Sequence, residues 1–228
     1  MLKNILLLSA LFFSSHAHSL LNGNQLTGMP ELVRLDFTNG NMCTGIFIDP
    51  FTVLTAAHCL TKDAELQKIV SLNDDTIAVV QIKKIIHSGF DHSFWPSHDV
   101  GIIKTSENLK FKSEFKLEKE TIKITGKALF FGCGVINAKN ENRGRSTGEN
   151  TFVRLGSILV FLGSTSIAVN DSGGPVLDKQ SGKIIAIATQ STFRNSIKLG
   201  MPVLSIATSI VEDSTREFIL KNLGRFQN

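Results

Sequence analysis

The chain has 228 residues, enough for one large domain or two small ones with a substantial shared core. Apolar residues make up 42% of it and charged residues 19%, a globular balance that excludes wholesale disorder. The net charge of +4 is too small and too scattered for nucleic-acid binding as the main function. Because three cysteines cannot form a disulfide scaffold, we expect the hydrophobic core to supply most of the stability.

The N-terminus has the pattern of a secretory signal peptide. Lys3 precedes a largely apolar run, Ile5–Phe13, that is too short to span a bilayer. Small residues follow, and cleavage is expected after Ala17 or Ser19. The alternative, a buried N-terminal helix, is disfavoured by the charged start and the short apolar run. We therefore assign residues 1–19 to a signal peptide and expect a secreted protein, extracellular or periplasmic, in a compartment where a disulfide persists.

Strand patterns dominate the remainder of the chain. Short runs rich in Val, Ile, Phe and Thr alternate with Gly, Asn, Asp and Ser, which is typical of short β-strands joined by turns. The predicted strands are Leu32–Phe37, Cys43–Ile48, Thr76–Ile86, Val100–Lys104, Ile122–Phe131, Phe152–Phe161, Lys183–Ser191 and Met201–Ala207.

Three further stretches complete the organisation. Asn108–Lys123 holds Lys and Glu in near balance, which indicates a solvated connector between two strand-rich halves. Asn137–Asn150 is polar without apolar periodicity and predicts a mobile surface loop. Ser209–Leu223 places its apolar residues mainly on one helical face. The pattern favours an all-β protein of two packed barrels or sandwiches with one terminal helix.

Three short motifs supply the residue types of nucleophilic catalysis. A serine hydroxyl is a poor nucleophile at neutral pH and needs a neighbouring base. An imidazole is suited to that role, and a buried carboxylate holds the ring in the required tautomer. His58, Asp99 and Ser172 provide these three groups. They lie in the motifs TAAHC (55–59), HDVGIIK (98–104) and NDSGGP (170–175).

Each motif alone has an ordinary explanation. A histidine beside Cys59 could be a metal ligand, and Asp99 could cap a turn. Asp-Ser-Gly-Gly could be a tight turn with both glycines at positive φ. Their occurrence together, in the order His, Asp, Ser, favours a catalytic site.

At this point the sequence resembles the trypsin/chymotrypsin-like serine proteases. TAAHC is identical to the catalytic-histidine signature of that family, and NDSGGP differs from its serine motif in one residue. The resemblance extends to residues 86–90 (IHSGF), to 132–134 (GCG, with Cys133 in the place of a tryptophan) and to 182–191 (GKIIAIATQS). It covers the whole chain after the signal peptide.

The resemblance implies the fold. We expect two antiparallel six-stranded β-barrels with a C-terminal α-helix and an active site in the cleft between the barrels. Residues 20–228 would form the protease domain: barrel one about 20–115, barrel two about 116–208 and the helix about 209–223. His58 and Asp99 would then lie on barrel one and Ser172 on barrel two.

A disulfide beside the catalytic histidine is also implied. Cys43 and Cys59 match the family's paired cysteines, and closing that loop stabilises by about 3 kcal/mol in the chain-entropy model. Cys133 is then unpaired, and we expect it to be a small buried apolar residue rather than a reactive thiol.

The expected oxyanion hole departs from the family at one residue. Its donors would be the backbone N–H groups of Asn170 and Ser172, and Asn170 occupies the place of a glycine. A backbone donor survives this substitution, and asparagine tolerates positive φ better than most residues. A peptide flip would still remove the donor, at a cost on the order of 10²–10³ in rate.

The specificity pocket and the activation step depart as well. Ser166 stands where tryptic members carry an aspartate, and Ile167, Thr189 and Ser191 would complete an uncharged or apolar pocket that offers basic side chains no countercharge.

Family members become active when a new N-terminal amine pairs with the aspartate before the serine, here Asp171. Leu20 would supply that amine, although no Lys or Arg precedes it.

The resulting hypothesis is a secreted serine endopeptidase that acts through an acyl-enzyme. The alternative is a catalytically silent homologue that acts as a binding module, against which the complete set of three residues argues. A metal-binding protein using His87, His92 and His98 is disfavoured because their spacing matches no ligand pattern. We expect a monomer without cofactor or metal. Its partners would be a protein or peptide substrate and a proteinaceous inhibitor, not nucleic acid or membrane.

Overall fold

The computed structural model shows a mostly β protein with one C-terminal helix. It describes residues 20–21, 24–26, 28–61, 65–71, 76–77, 81–91, 97–106, 116–118, 122–134, 145–163, 165–191 and 204–224. The predicted signal peptide, residues 1–19, lies outside them. Within the described residues no helix has the length and apolar character needed to cross a bilayer.

The first sheet is built from strands in the N-terminal half. All its pairings are antiparallel, in the order β7-β6-β3-β4-β5-β9-β8. The sheet has six strands of four to eight residues and the two-residue strand β7 at one edge. The strands are β3 (Leu32–Phe37), β4 (Met42–Asp49), β5 (Thr52–Thr55), β6 (Leu66–Val70), β7 (Thr76–Ile77), β8 (Gln81–Ile86) and β9 (Gly101–Thr105).

The second sheet closes on itself. β10 pairs with both β14 and β11, so six strands form a ring in the order β10-β14-β15-β16-β12-β11. The strands are β10 (Thr125–Gly132), β11 (Ser146–Leu155), β12 (Ile158–Leu162), β14 (Pro175–Asp178), β15 (Ile184–Ser191) and β16 (Leu204–Ser209). The predicted fold of two antiparallel six-stranded barrels is confirmed.

The first residues after the predicted cleavage site pair with the second half of the chain. β1 (Leu20–Leu21) pairs with β13 (Ser166–Ile167), and β2 (Asn24–Gln25) pairs with β11. The N-terminal edge of the range assigned to barrel one therefore lies against the second sheet.

Most predicted strands agree with the structure, and three stretches predicted as strand or loop differ. Thr76–Ile86 is not one strand, because its two ends form β7 and β8, which lie at opposite edges of the first sheet. Phe152–Phe161 is not one strand but the two arms of a hairpin, because Gly156 adopts a φ of +60° and reverses the chain inside the apolar run. Asn137–Asn150 is not all loop, because Ser146–Asn150 opens β11. The segment Ser146–Asn150 has no apolar side chain, yet alternate residues of it are buried. Asn150 donates from its side chain to the carbonyl of Thr165.

The buried apolar side chains form two clusters, the first of which includes residues of both sheets. The first packs aliphatic side chains such as Leu35, Ile46 and Ile102, each 0% exposed. The second is aromatic at its centre, where Phe161 meets Phe130 edge-on with ring centroids 4.4 Å apart. Two cores of this size anchor the loops that carry the site.

The C-terminal helix is fastened to the first sheet by a buried lysine. Helix α1 (Asp213–Lys221) is shorter than the predicted Ser209–Leu223, since β16 extends through Ser209. Lys104 on β9 donates from Nζ to Thr52 Oγ1 (2.6 Å) and to the carbonyls of Asn222 and Gly224 (2.5 Å each) just beyond the helix. Burial lowers the pKa of this lysine, and Asp49 opposes that effect.

Replacement of this lysine should destabilise the fold. We expect Lys104→Met to lower the free energy of unfolding by about 2–3 kcal/mol, because a similar apolar stem leaves the buried Thr52 hydroxyl and two partly buried carbonyls without their donor. Denaturant titration measures the change. The control is Lys127→Met, at an exposed lysine paired with Glu149, where the expected change is below about 0.5 kcal/mol. Equal midpoints for the two variants contradict the role of Lys104.

Candidate active site

His58 and Asp99 form a close pair at one edge of the first sheet. His58 Nδ1 lies 2.6 Å from Asp99 Oδ2, and the backbone N–H of His58 donates to Asp99 Oδ1 at 2.8 Å. The Asp99 side chain is fully buried, whereas that of His58 is 23% exposed. A carboxylate on Nδ1 places the Nδ1 proton between the two residues and leaves Nε2 as the basic nitrogen.

Close packing fixes the two elements that carry this pair. His58 lies in a 3₁₀ helix, Ala57–Leu60, and Asp99 lies just before β9. A Cβ on Gly101, the first residue of β9, would come within 2.7 Å of a Leu60 methyl and 3.2 Å of Ala57 Cα. A larger residue than glycine at 101 would push the 3₁₀ helix away from the aspartate.

Ser172 lies on a tight turn of the second half that touches the first sheet. Its carbonyl accepts the N–H of Thr44 at 2.8 Å. Gly173 follows with a φ of +88°, and a Cβ there would lie 2.2 Å from the carbonyl oxygen of Thr44. Only glycine fits, both for its conformation and for the close approach.

Ser172 lines the cleft that also contains His58. A cavity of about 420 Å³ is lined by both residues, together with Phe37, Asn39, Asn41, Met42, Cys43, Cys59, Thr61, Val169 and Asn170. In this structure Ser172 Oγ donates to the carbonyl of Thr189 at 3.1 Å. Transfer of the proton to His58 therefore requires the hydroxyl to turn from Thr189 toward the imidazole.

Asn170 adopts the left-handed conformation that its position demands. Its φ is +77°, and its carbonyl accepts the Thr44 hydroxyl at 3.0 Å. Within the described residues, the N–H groups of Asn170 and Ser172 donate to no protein acceptor. Two backbone donors are thus open beside the cleft, as an oxyanion hole requires.

Asp171, between these two donors, is a fully buried carboxylate. It accepts the N–H of Ala168 at 2.8 Å and that of Gly134 at 3.1 Å. Among the described residues no cation contacts it. Burial raises the pKa of Asp171 well above its usual value, and the two amides oppose that shift.

The GCG segment forms the wall around this carboxylate. A Cβ on Gly132 would fall 2.1 Å from Asp171 Oδ1, and Gly134 supplies one of the two amides. The segment was noted in the sequence only as a family resemblance, and its glycines are the signal that a backbone approaches closely there. Cys133 between them is buried and free, and burial raises its pKa to about 12, so the thiol is not reactive.

Strand β1, which begins at Leu20, pairs with the segment that precedes Asp171. Leu20 pairs with Ile167 and Leu21 with Ser166, four to five residues before Asp171. The segment expected to provide a new N-terminus therefore runs beside the segment that leads to the buried carboxylate.

The structure places the four residues of the expected specificity pocket on neighbouring strands. Ser166 and Ile167 are buried in β13, where Ser166 Oγ donates to the Ile167 carbonyl at 3.3 Å and the Ile167 N–H donates to Ser205 Oγ at 2.9 Å. Thr189 and Ser191 lie in β15. Residues 192–203, which follow Ser191, lie outside the described residues.

The implied disulfide is present. Cys43 and Cys59 are bonded with a Cα separation of 6.4 Å, and the bridge lines the cleft beside His58. Their sulfurs lie near the His58 ring, but bridged sulfurs are not thiolates and this group is not a metal centre.

Two of the three histidines weighed as metal ligands stack on each other instead. The rings of His87 and His98 are 4.8 Å apart, and His92 lies outside the described residues. His87 Nδ1 accepts the Gly89 N–H at 3.0 Å, and its Nε2 lies 3.3 Å from the Ser214 carbonyl. Both nitrogens of His87 are therefore occupied by protein groups.

Comparisons with known proteins agree with this fold. The Trypsin family model matches residues 22–124, which include His58 and Asp99. The structure is similar to that of neuropsin, a serine protease expressed in the limbic system of mouse brain. The TM-score is 0.67 at 17% identity, over 88% of this chain and 99% of that one. The predicted resemblance to trypsin-like serine proteases is confirmed, and the chain has their fold.

The buried carboxylate should give the unprocessed chain a distinctive pH dependence. Because the folded state holds the Asp171 proton more tightly than the unfolded state, the free energy of unfolding should fall as pH rises above about 4, the unfolded carboxyl value. Below that pH Asp171 is protonated in both states, so its contribution to stability is fully present and no longer changes with pH. Asp171→Asn, in a chain that still extends before Leu20, should remove this part of the decline.

Thermal unfolding of both chains between pH 4 and 7 measures the difference. Parallel curves for the wild type and Asp171→Asn contradict a raised pKa at Asp171.

Proposed function

We propose that this chain, which has the fold of the trypsin-like serine proteases, is a secreted serine endopeptidase. The observation that carries the proposal is the 2.6 Å contact between His58 Nδ1 and Asp99 Oδ2, with Ser172 in the same cleft. A structural histidine gains nothing from a serine on the opposite sheet, whereas acyl transfer needs all three groups together.

The mechanism begins with proton transfer within this group. Ser172 Oγ turns from the Thr189 carbonyl toward His58 Nε2, gives up its proton and attacks the scissile carbonyl carbon. The imidazolium that forms is stabilised by the buried carboxylate of Asp99. His58 then gives the proton to the leaving amine, the peptide C–N bond breaks, and the acyl group remains on Ser172.

Water completes the cycle. His58 takes a proton from water as the water oxygen attacks the acyl-enzyme carbonyl, and it returns that proton to Ser172 Oγ when the acyl group leaves. The N–H groups of Asn170 and Ser172 stabilise the oxyanion in both halves. The open donors and the positive φ of Asn170 support this role.

Processing would complete the site. Removal of residues 1–19 frees the amine of Leu20, whose strand already runs beside the segment that leads to Asp171. An ammonium group near the buried carboxylate would stabilise its charged form. We propose that signal peptidase, or trimming of His18 and Ser19, produces the active N-terminus.

The competing function is that of a silent homologue that binds a partner through the same cleft. The hydrogen bond from Ser172 Oγ to Thr189 favours it, because the hydroxyl proton points away from His58 in this arrangement. Reactivity of the serine separates the two functions. In either case the partners we propose are a protein or peptide and a proteinaceous inhibitor, bound by a monomer.

A fluorophosphonate probe tests the nucleophile directly. We expect the processed protein that begins at Leu20 to be labelled and Ser172→Ala to remain unlabelled, because the probe reacts only with an activated serine beside usable oxyanion donors. His58→Ala should slow labelling by about 10³-fold or more. The control is Ser181→Ala, an exposed turn serine, which should label at the wild-type rate. Absence of labelling in processed, folded wild type contradicts an active protease.

The N-terminus has its own test. We expect a protein extended by Ser19 to label at least tenfold more slowly than one that begins at Leu20, because the ammonium group is displaced from Asp171. N-terminal sequencing of the exported protein identifies the natural start. A different start with full reactivity contradicts the role of Leu20.

The pocket residues determine the expected substrate preference. Ser166 and Ile167 offer no carboxylate, so peptides that end in an uncharged or apolar residue at the scissile bond should be cleaved faster than those that end in Lys or Arg. A matched panel of chromogenic peptides measures the order. Ser166→Asp should raise relative activity toward Arg peptides, and a wild type that already prefers Arg contradicts this assignment.

A further inference from the structure

Thr44 joins the two sheets at the nucleophile. It lies on β4, fully buried, next to the bridged Cys43. Its N–H donates to the Ser172 carbonyl at 2.8 Å, and its own carbonyl accepts the Thr55 hydroxyl at 2.7 Å. The backbone of Thr44 thus fixes the carbonyl of Ser172 to the first sheet.

The side chain of Thr44 makes a second, separate connection. Thr44 Oγ1 accepts the N–H of Cys133 at 2.9 Å and donates its single proton to the carbonyl of Asn170 at 3.0 Å. The two bonds run in one direction, so each polarises the other. The hydroxyl therefore bridges the GCG segment and the turn that carries the open donors.

The carbonyl that Thr44 holds belongs to a peptide plane adjacent to the oxyanion donor. The peptide from Asn170 to Asp171 is planar, so its oxygen and its N–H point in opposite directions. The N–H of Asp171 donates to the Ala168 carbonyl at 3.2 Å, and the oxygen is held by Thr44. With this plane held at both sides, φ and ψ of Asn170 decide where its own N–H points.

The backbone of Asn170 is in a conformation that is unfavourable for a residue other than glycine. Residues other than glycine prefer negative φ, and Asn170 stands at +77°. A rotation that relieves this strain also moves the Asn170 N–H, unless the adjoining plane is fixed. The hydrogen bond from Thr44 opposes that rotation.

We propose that Thr44 is a positioning residue: its hydroxyl holds the turn at Asn170 so that the Asn170 N–H faces the oxyanion. The inference rests on the proposed protease function, because positioning matters only if a tetrahedral oxyanion forms there. It assigns to the Cys43-Thr44-Gly45 segment a role for its threonine side chain, beyond the disulfide and the strand.

Kinetics of two side-chain variants test this role. Thr44→Val has the same shape without the hydroxyl and should lower kcat and the fluorophosphonate labelling rate about tenfold, with KM within about twofold of wild type. Thr44→Ser restores the hydroxyl and should return kcat to within about threefold of wild type. A purely structural role predicts instead that kcat falls only in proportion to the loss of stability, as in a variant that loses a buried hydroxyl elsewhere.

Thr52→Val is the matched control. It removes a buried hydroxyl of the first sheet that accepts from Lys104 Nζ at 2.6 Å, and it leaves the contacts of Thr44, Asn170 and Ser172 in place. Its melting temperature should fall about as far as that of Thr44→Val, while its kcat stays within about twofold of wild type. If Thr44→Val does not fold, Thr44→Ala takes its place in the comparison with Thr44→Ser, with folding checked by thermal unfolding.

The outcomes separate this inference from the proposed function. Wild type that labels, with Thr44→Val labelling at the same rate, overturns the role of Thr44 and leaves the protease function intact. An equal loss of kcat in Thr52→Val and Thr44→Val also overturns it, since the loss then follows stability. Folded, processed wild type that does not label overturns the protease function and this inference with it.

Discussion

The site depends on hydrogen bonds that cross from one sheet to the other. His58 and Asp99 are held by the first sheet and Ser172 by the second, so the distance between the proposed catalytic groups is set by how the two sheets meet. A displacement of about 1 Å between reacting groups can cost about 10² in rate. The 2.8 Å bond from the Thr44 N–H to the Ser172 carbonyl, and the glycine that allows it at 173, are therefore as much a part of the site as the imidazole.

The sequence predicted those parts of the fold where local pattern and packing agree. Leu32–Phe37 has the predicted bounds because it is a short apolar run, and its two charged residues are buried because Arg34 pairs with Asp36, which Lys68 also approaches at 3.5 Å. The hairpin after Leu155 was missed because its turn interrupts the apolar run for only two residues. Ser146–Asn150 was missed because its buried face is polar, and hydrogen bonds rather than hydrophobicity hold it.

The sequence indicated the side chains of the candidate site and not its backbone groups, and the catalytic roles of those side chains stay a prediction. The residue types and motifs indicated His58, Asp99 and Ser172, and the resemblance to a known family implied the disulfide. The Thr189 carbonyl, the Gly134 amide and the Thr44 hydroxyl give no such signal, because backbone groups have no residue type. The Thr44–Asn170 bond also spans 126 residues of sequence. Contacts of this kind are decided by the meeting of the two sheets, which the order of residues along one strand does not reveal.

One buried carboxylate connects processing to catalysis under the proposed function. Among the described residues the Asp171 carboxyl accepts two amide N–H groups and contacts no cation, and burial raises its pKa because the charged form is costly there. An arriving ammonium group removes the cost of that buried charge, so a free Leu20 terminus favours the conformation that brings it close. Since Asp171 lies between Asn170 and Ser172, any change that stabilises its position also stabilises both donors. Cleavage at the start of the chain thereby acts on the oxyanion hole without altering any residue that touches the substrate.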